Sequence, residues 1–193
     1  PLISHCYATG RVRGTGILAG LCGINYGTIG HCYATGTVNG QEVVGGLCGS
    51  NGGAISGSYA TGSVIGETHV GGFCGYNSNG QISQCYTTGA VDGNDGVGGL
   101  CGLNGHGNLE NCYAAGEVTG NTDVGGFIGY EDDGIYTPSF WNGQINPDVN
   151  GFGNLPSDPN VTVLPTAQLM QESTFTDAGW DFLGETANGT EDH

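Results

Sequence analysis

Apolar positions in this chain come in short clusters, and the clusters return at a fixed interval. Tyr7, Tyr33, Tyr59, Tyr86 and Tyr113 are 26, 26, 27 and 27 residues apart, and Phe140 follows 27 beyond the last. Each tyrosine opens a block: Cys6–Gly10, Cys32–Gly36, Ser58–Gly62, Cys85–Gly89 and Cys112–Gly116. A second block keeps step with it: Gly20–Gly23, Gly46–Gly49, Gly72–Gly75, Gly99–Gly102 and Gly126–Gly129. Asn25, Asn51, Asn77 and Asn104 form a third column, which Glu131 breaks, and Ile3, Ile29, Ile55, Ile82, Leu109 and Ile135 form a fourth. The apolar segments between Gly and Asn are shorter than the ~10–12 residues of a helix.

A repeat of this length is a stacking signal. Equivalent strands pair coil on coil at about 4.8 Å, so every strand except the terminal ones satisfies its backbone. The pattern predicts an all-β fold, a parallel β-solenoid wound as a right-handed β-helix, with five to six coils of 26–27 residues and an irregular C-terminal cap. Repeats fill residues 1–137, a degenerate last coil and cap fill 138–183, and an acidic tail fills 184–193. The extra residue of the longer coils falls among turn residues near Ser78–Gly80 and Asn104–Gly107.

Composition agrees. Gly is 41 of 193 residues without a Gly-X-Y period, and hydrophobic residues still make up 37 %. That is too apolar for wholesale disorder and suits tight turns between buried strands. Two basic residues, Arg11 and Arg13, stand against 18 acidic ones, a net charge of -16. Such a chain cannot neutralise phosphates, so nucleic acid and anionic membrane surfaces are excluded as partners. No apolar run is long enough to insert into a membrane as a helix. No signal peptide is visible and the first residue is Pro1, which reads as a processed or excised part of something longer.

The columns carry most of the candidate chemistry. The tyrosine file reads as a packing ladder, with sugar or peptide gripping as the rival use. The asparagine file reads as a stacked amide ladder that ends where Glu131 begins an acidic run. The threonine file Thr9, Thr35, Thr61, Thr88 is too narrow for an ice-binding face. His5 and His31 would stack, but the following coils offer Gly57, Gln84 and Asn111, so no metal set completes itself. Carboxylates gather in turns, and Asp92, Asp95, Asp123, Asp132 and Asp133 are weak Ca²⁺ candidates, Ca²⁺ being the one cofactor considered.

Eight cysteines occupy two columns, Cys6, Cys32, Cys85, Cys112 and Cys22, Cys48, Cys74, Cys101. Pairing between columns gives Cys22–Cys32, Cys74–Cys85 and Cys101–Cys112, and both partners of the next pair are missing together, as Ile128 and Ser139. Pairing within a coil leaves Cys74 and Cys112 alone, and eight buried thiols are the third arrangement.

The blocks closely resemble the GLUG-motif repeat, whose Gly-Leu-variable-Gly signature stands at Gly20–Gly23, Gly46–Gly49 and Gly99–Gly102, with Phe73 and Phe127 replacing Leu in the other copies. The Tyr-Ala-Thr-Gly block matches too, as do Phe140-Trp141, Thr166–Met170 and Gly179–Phe182. The resemblance implies a secreted or surface bacterial protein of adhesin type, or an accessory region of a large secreted peptidase, and brings no catalytic residues with it. The reading is an extracellular, non-enzymatic structural or adhesive module. The rival is a β-helix that binds or cleaves carbohydrate, but lyase chemistry wants a cation and only Arg11 and Arg13 are present.

Partners follow from the ends. Pro138, Pro147, Pro156, Pro159 and Pro165 break the pattern, and Trp141, Phe152, Phe175 and Trp180 read as a cover for the last coil. Thr166 reads as the N-cap of a helix over Ala167–Glu172. The first coil begins in register with an uncovered edge, which further repeats of a longer chain or another copy, head to tail in a filament, would cover. Val161–Leu164 would then bridge to a neighbour as an added strand, and a surface glycan or protein would be the ligand of an adhesive module.

Overall fold

The computed structural model describes residues 1–180. The Asp181-Phe182 end of the cap and the tail at 184–193 lie outside them. Within them the chain winds through six turns of parallel β-structure with almost no helix. One sheet stacks Leu2–Ser4, Thr28–Gly30, Ala54–Ser56, Gln81–Ser83, Asn108–Glu110 and Ile135–Tyr136. A second stacks the tyrosine strands, from Tyr7–Ala8 through Tyr113–Ala114, and continues into Ser139–Asn142 and Val161–Leu164. A third runs from Val12–Arg13 to Val118–Thr119. The fourth holds two files, beginning at Leu18–Ala19 and Cys22–Asn25, which the long strand Thr122–Asp132 joins at the far end.

Pairing is in register, residue on equivalent residue: Tyr59 on Tyr33 and Tyr86, Cys48 on Cys22 and Cys74, Ile55 on Ile29 and Ile82. The interior has two apolar lobes. The larger holds Ile29, Ile55, Ile82 and Leu109 with Leu47, Phe73, Leu100 and Phe127, all fully buried. The smaller is a stack of valines, Val38, Val44, Val64, Val70, Val91, Val97 and Val118. The coil is thin because glycine faces alanine across it. A methyl group on Gly46 would run into the Gly72 carbonyl and lie 2.9 Å from Ala60 Cβ.

Corners turn on left-handed residues, and these too form files. His5, His31, Gly57, Gln84 and Asn111 have φ of 50–54°, and His69, Gly96 and Asp123 have 48–60°. At a third corner Asn79, His106 and Asp133 adopt φ of 55–60°. This third set is the extra residue of the longer coils, inserted after Asn77 and Asn104 where turn residues allow it. Short polar side chains tolerate this conformation best after glycine.

Three local expectations change. The fourth column does not end at Ile135: Tyr136 pairs with Leu109 and points inward, while Ile135 pairs with Asn108 and is 65 % exposed. A one-residue shift exchanges the faces of a strand, and here it lets the Tyr136 hydroxyl reach Asn104 and Glu131. Val161–Leu164 does not reach outward to a neighbour but pairs with Ser139–Asn142 of its own chain, adding a rung to the tyrosine sheet. Thr166 is no N-cap. It lies within a short helix, α1 (Thr166–Leu169), with Pro165 at the cap position, and its hydroxyl accepts a hydrogen bond from Asn142 Nδ2 at 2.9 Å.

Candidate functional site

The asparagine column is a directional ladder running through the buried interior. Asn25 Nδ2 donates to Asn51 Oδ1 at 2.8 Å, Asn51 to Asn77 at 2.9 Å and Asn77 to Asn104 at 2.8 Å. Asn104 Nδ2 then donates to Glu131 Oε2 at 3.3 Å and to the Tyr136 hydroxyl at 2.9 Å. A carboxylate only accepts, so it closes a chain of donors where another amide would extend it. Tyr136 and the Gly134 N–H donate to the same carboxylate, which leaves it buried but partnered. Burial and this contact push the Tyr136 phenol well above its ordinary range.

The tyrosines stack with ring centroids 4.9–5.2 Å apart and nearly parallel from Tyr7 to Tyr113. They stand on the outer side of their sheet, since the alternate positions Ala34, Ala60 and Ala114 face inward and are buried. Tyr7 is 65 % exposed, and exposure falls along the file. At its far end Phe175, in helix α2 (Glu172–Thr176), and Trp180 close over Tyr113 at 5.5 and 6.2 Å and over Phe140 at 5.5 and 5.9 Å. Two of the cap aromatics therefore cover the ladder rather than the end of the core. Trp141 and Phe152 cover the core.

All eight cysteines are free thiols. The pairs Cys22–Cys32, Cys74–Cys85 and Cys101–Cys112 are not formed in the structure, where the thiols hydrogen-bond to carbonyls of their own coils. Cys32, Cys85 and Cys112 donate to the carbonyl two residues back, Gly30, Ser83 and Glu110, at 3.1–3.2 Å. Ser58 does the same toward Ser56 at 2.8 Å, and its oxygen accepts from the Cys32 N–H at 3.0 Å. Ser139 accepts from the Cys112 N–H at 3.2 Å. Ser58 keeps both hydrogen bonds of the thiol, and Ser139 keeps the accepting one that Cys32 makes to the Cys6 N–H. Burial pushes the Cys85 thiol up to about 12, and Cys74 and Cys112 rise with it.

The acidic candidates are dispersed. Asp92 accepts from Thr119 Oγ1 at 2.8 Å on the outer face of the valine strands. Asp95 pairs with Thr122, Asp123 and Asp133 occupy left-handed corners, and Asp132 accepts the His106 N–H through its backbone oxygen at 2.7 Å. Among the described residues no three His, Cys, Asp or Glu converge. His5 and His31 stack at 5.2 Å as corner residues.

Two features escaped the sequence reading. Side-chain amides finish the C-terminal end: Asn146 accepts from the Val118 N–H at 2.9 Å and donates to the Gly116 carbonyl at 3.0 Å. Asn154 likewise accepts from the Glu131 N–H at 2.8 Å and donates to the Glu131 carbonyl at 2.9 Å. Each amide takes the place of a peptide group in a coil that is not there. The other is an apolar outer face on the Cys22–Asn25 file. Ile24, Ser50, Tyr76, Leu103 and Tyr130 stand in register there, and Tyr26 beside them is 80 % exposed. The one signal for either was an aromatic or amide side chain breaking its column.

No curated protein matches the chain, and no solved structure does. The family model of the GLUG motif matches three consecutive segments, residues 40–65, 66–92 and 93–119. Each holds one Gly-Leu/Phe-Cys-Gly turn, whose large residue (Leu47, Phe73 or Leu100) fills the core while its glycines allow the close approach of the next coil. Residues 40–119 are three consecutive GLUG repeats.

Proposed function

We propose that this chain is an extracellular structural and adhesive module, a rigid β-solenoid that presents flat faces and carries no catalytic centre. The observation that carries this reading is the use of side chains. Those facing inward pack a core or close a hydrogen-bond ladder, and those facing outward are spread along straight files. Chemistry on a substrate needs unlike groups converging on one point, and a stacked repeat distributes like groups along a line. The charge of -16 suits a surface held apart from nucleic acid and anionic lipid.

The C-terminal end of the stack bears on partners. Asn146 and Asn154 plug edges there. A plugged end favours a limited assembly over an endless head-to-tail filament, which needs both ends open. Light scattering over a concentration series separates the two: mass that stops at a small oligomer supports a plugged end, and mass that grows without limit overturns it. Protease shaving of intact cells tests location, with surface release as the expected result and a protected cytoplasmic chain as the result that removes the reading.

A further inference from the structure

The apolar outer face carries rings placed for more than packing. A methyl group on Gly52 would meet Tyr26 Cδ1 and Cε1 at 3.0 Å, so the Tyr26 ring lies over the glycine of the next coil. A methyl group on Gly105 would meet Tyr76 Cε2 and Oη at 3.1 Å, so the Tyr76 ring lies over the equivalent glycine two coils further on. Both glycines directly follow a rung of the asparagine ladder, Asn51 and Asn104. The two rings are thus laid on one straight face at a separation of two coils, about 9.6 Å from the strand spacing. Ile24 stands beside Tyr26 in its own coil, Ser50 supplies a hydroxyl in the coil between the two tyrosines, Leu103 follows Tyr76 in the next coil, and Tyr130 continues the file 41 % exposed.

We infer that this face binds an extended, neutral β-1,4-linked polysaccharide, with its chain running along the solenoid axis. In such a polymer alternate sugars turn the same apolar face the same way, and one disaccharide is close to two coils in length. Tyr26 and Tyr76 would then each take the C–H face of every second sugar. Aromatic rings with a polar tip suit such a half-wet contact. Charge selects the class: the chain holds 18 acidic residues and two basic ones, Arg11 and Arg13, and neither lies in this face. An acidic glycan would be repelled. A second copy of this chain is the competing occupant, and it would bring a further net charge of -16 against this one.

The inference deepens the adhesive reading above and rests on it. The test is co-sedimentation of the intact chain with insoluble chitin and cellulose, with polygalacturonate as the acidic control, for the native chain and for Tyr26→Ala, Tyr76→Ala and the double variant. The expected result is retention on a neutral glycan, none on the acidic one, and a loss of at least tenfold in affinity for the double variant. Each substitution is at the surface, and circular dichroism confirms that the fold is retained. No retention on either neutral glycan, or retention unchanged in the double variant, overturns the inference. So does light scattering that shows the face consumed by self-association and the double variant monomeric. A surface-located chain that binds no glycan removes this site and leaves the structural module standing, whereas a cytoplasmic chain that binds glycan removes the module reading and leaves the site.

Discussion

The coil body and the C-terminal cap solve one problem by different means. Every strand needs a neighbour for its peptide groups and a cover for its apolar side. In the body the next coil supplies both, and one solution is copied: Leu47 N donates to the Phe73 carbonyl, Phe73 N to Leu100, and Leu100 N to Phe127, at 2.8–2.9 Å. In the cap only parts of a next coil follow, Asn150–Phe152 on Thr122–Asp132 and Val161–Leu164 on Ser139–Asn142. Asn146 and Asn154 replace its peptide groups, Glu131 ends the amide ladder, and Trp141 lies over Gly126 where smaller side chains face glycine in earlier coils. The body's solution can be repeated without limit, while the cap's stops the stack because each of its parts ends one file.

The comparison makes the body intolerant of added bulk and the cap tolerant of lost detail. The sharpest break is Gly99→Val. Its branched side chain would enter the Gly126 carbonyl and the space beside Ala114 Cβ, 3.0 Å from the first added carbon. The backbone of two coils would have to separate, so the expected cost exceeds about 4 kcal/mol. Circular dichroism during urea unfolding should find the variant unfolded or far less stable, and a variant as stable as the native chain would show the coil spacing wrong.

High pH separates the two regions next. Burial raises the Cys85 thiol from 9.0 to about 12 in the body. Burial, and then the neighbouring Tyr86, raises the Tyr113 phenol from 10.0 to about 12 beneath the cap. In both, the folded state favours the neutral form. Their contribution is intact below the ordinary value and is lost as pH climbs through the folded one. Stability should therefore be level to about pH 9 and decline from there to about pH 12, as the cited shifts require. Far-UV dichroism reports the body and tryptophan emission reports the cap. A flat stability profile across that window would show both groups to be solvated.

The next pair of variants sets one amide against another. Asn77→Ala removes the amide that links Asn51 to Asn104 and leaves buried partners unpaired on both sides. Asn146→Ala removes one plug at the edge, where water can reach the freed groups. The expected losses are about 3 kcal/mol for Asn77 and about 1 kcal/mol for Asn146, from the cost of unpaired buried polar groups. Equal losses would mean that the ladder carries no more than an edge contact does.

This difference also decides what could be read from the sequence. Body features repeat, so Tyr33 predicts Tyr59 and Asn51 predicts Asn77, and the columns were legible before any coordinates. Serine at 58 and 139 looked like a broken cysteine pairing, because spacing shows which positions align but not which bond each side chain makes. Ile135 looked like the next rung because it is apolar and nearly in step. Only the hydroxyl of Tyr136 meeting Glu131 shows why the strand shifts by one residue. Asn146 and Asn154 occur out of period, and Tyr26 and Tyr76 sit in columns of unlike residues, so a reading built on repeated identity passes over them.

The smallest expected effect bears on the cysteine column itself. If each thiol is there to donate to the carbonyl two residues back, sulfur and oxygen are nearly interchangeable, and Ser58→Cys should restore the file at little cost. Ser58 is buried, donates to Ser56 at 2.8 Å and accepts from Cys32 N–H at 3.0 Å. Cys6 N–H already meets a sulfur, that of Cys32, at 3.4 Å in the equivalent contact. The larger atom fits a position that holds sulfur in the coils on both sides, so the change in stability should stay within about 1 kcal/mol, as for other volume-tolerant core exchanges. Thiol titration under native conditions should find the new cysteine as unreactive as Cys85, since burial disfavours the thiolate in both. A new disulfide from position 58 to Cys48 in non-reducing mass mapping would show instead that the two columns lie within bonding reach, and that serine is there to keep them apart.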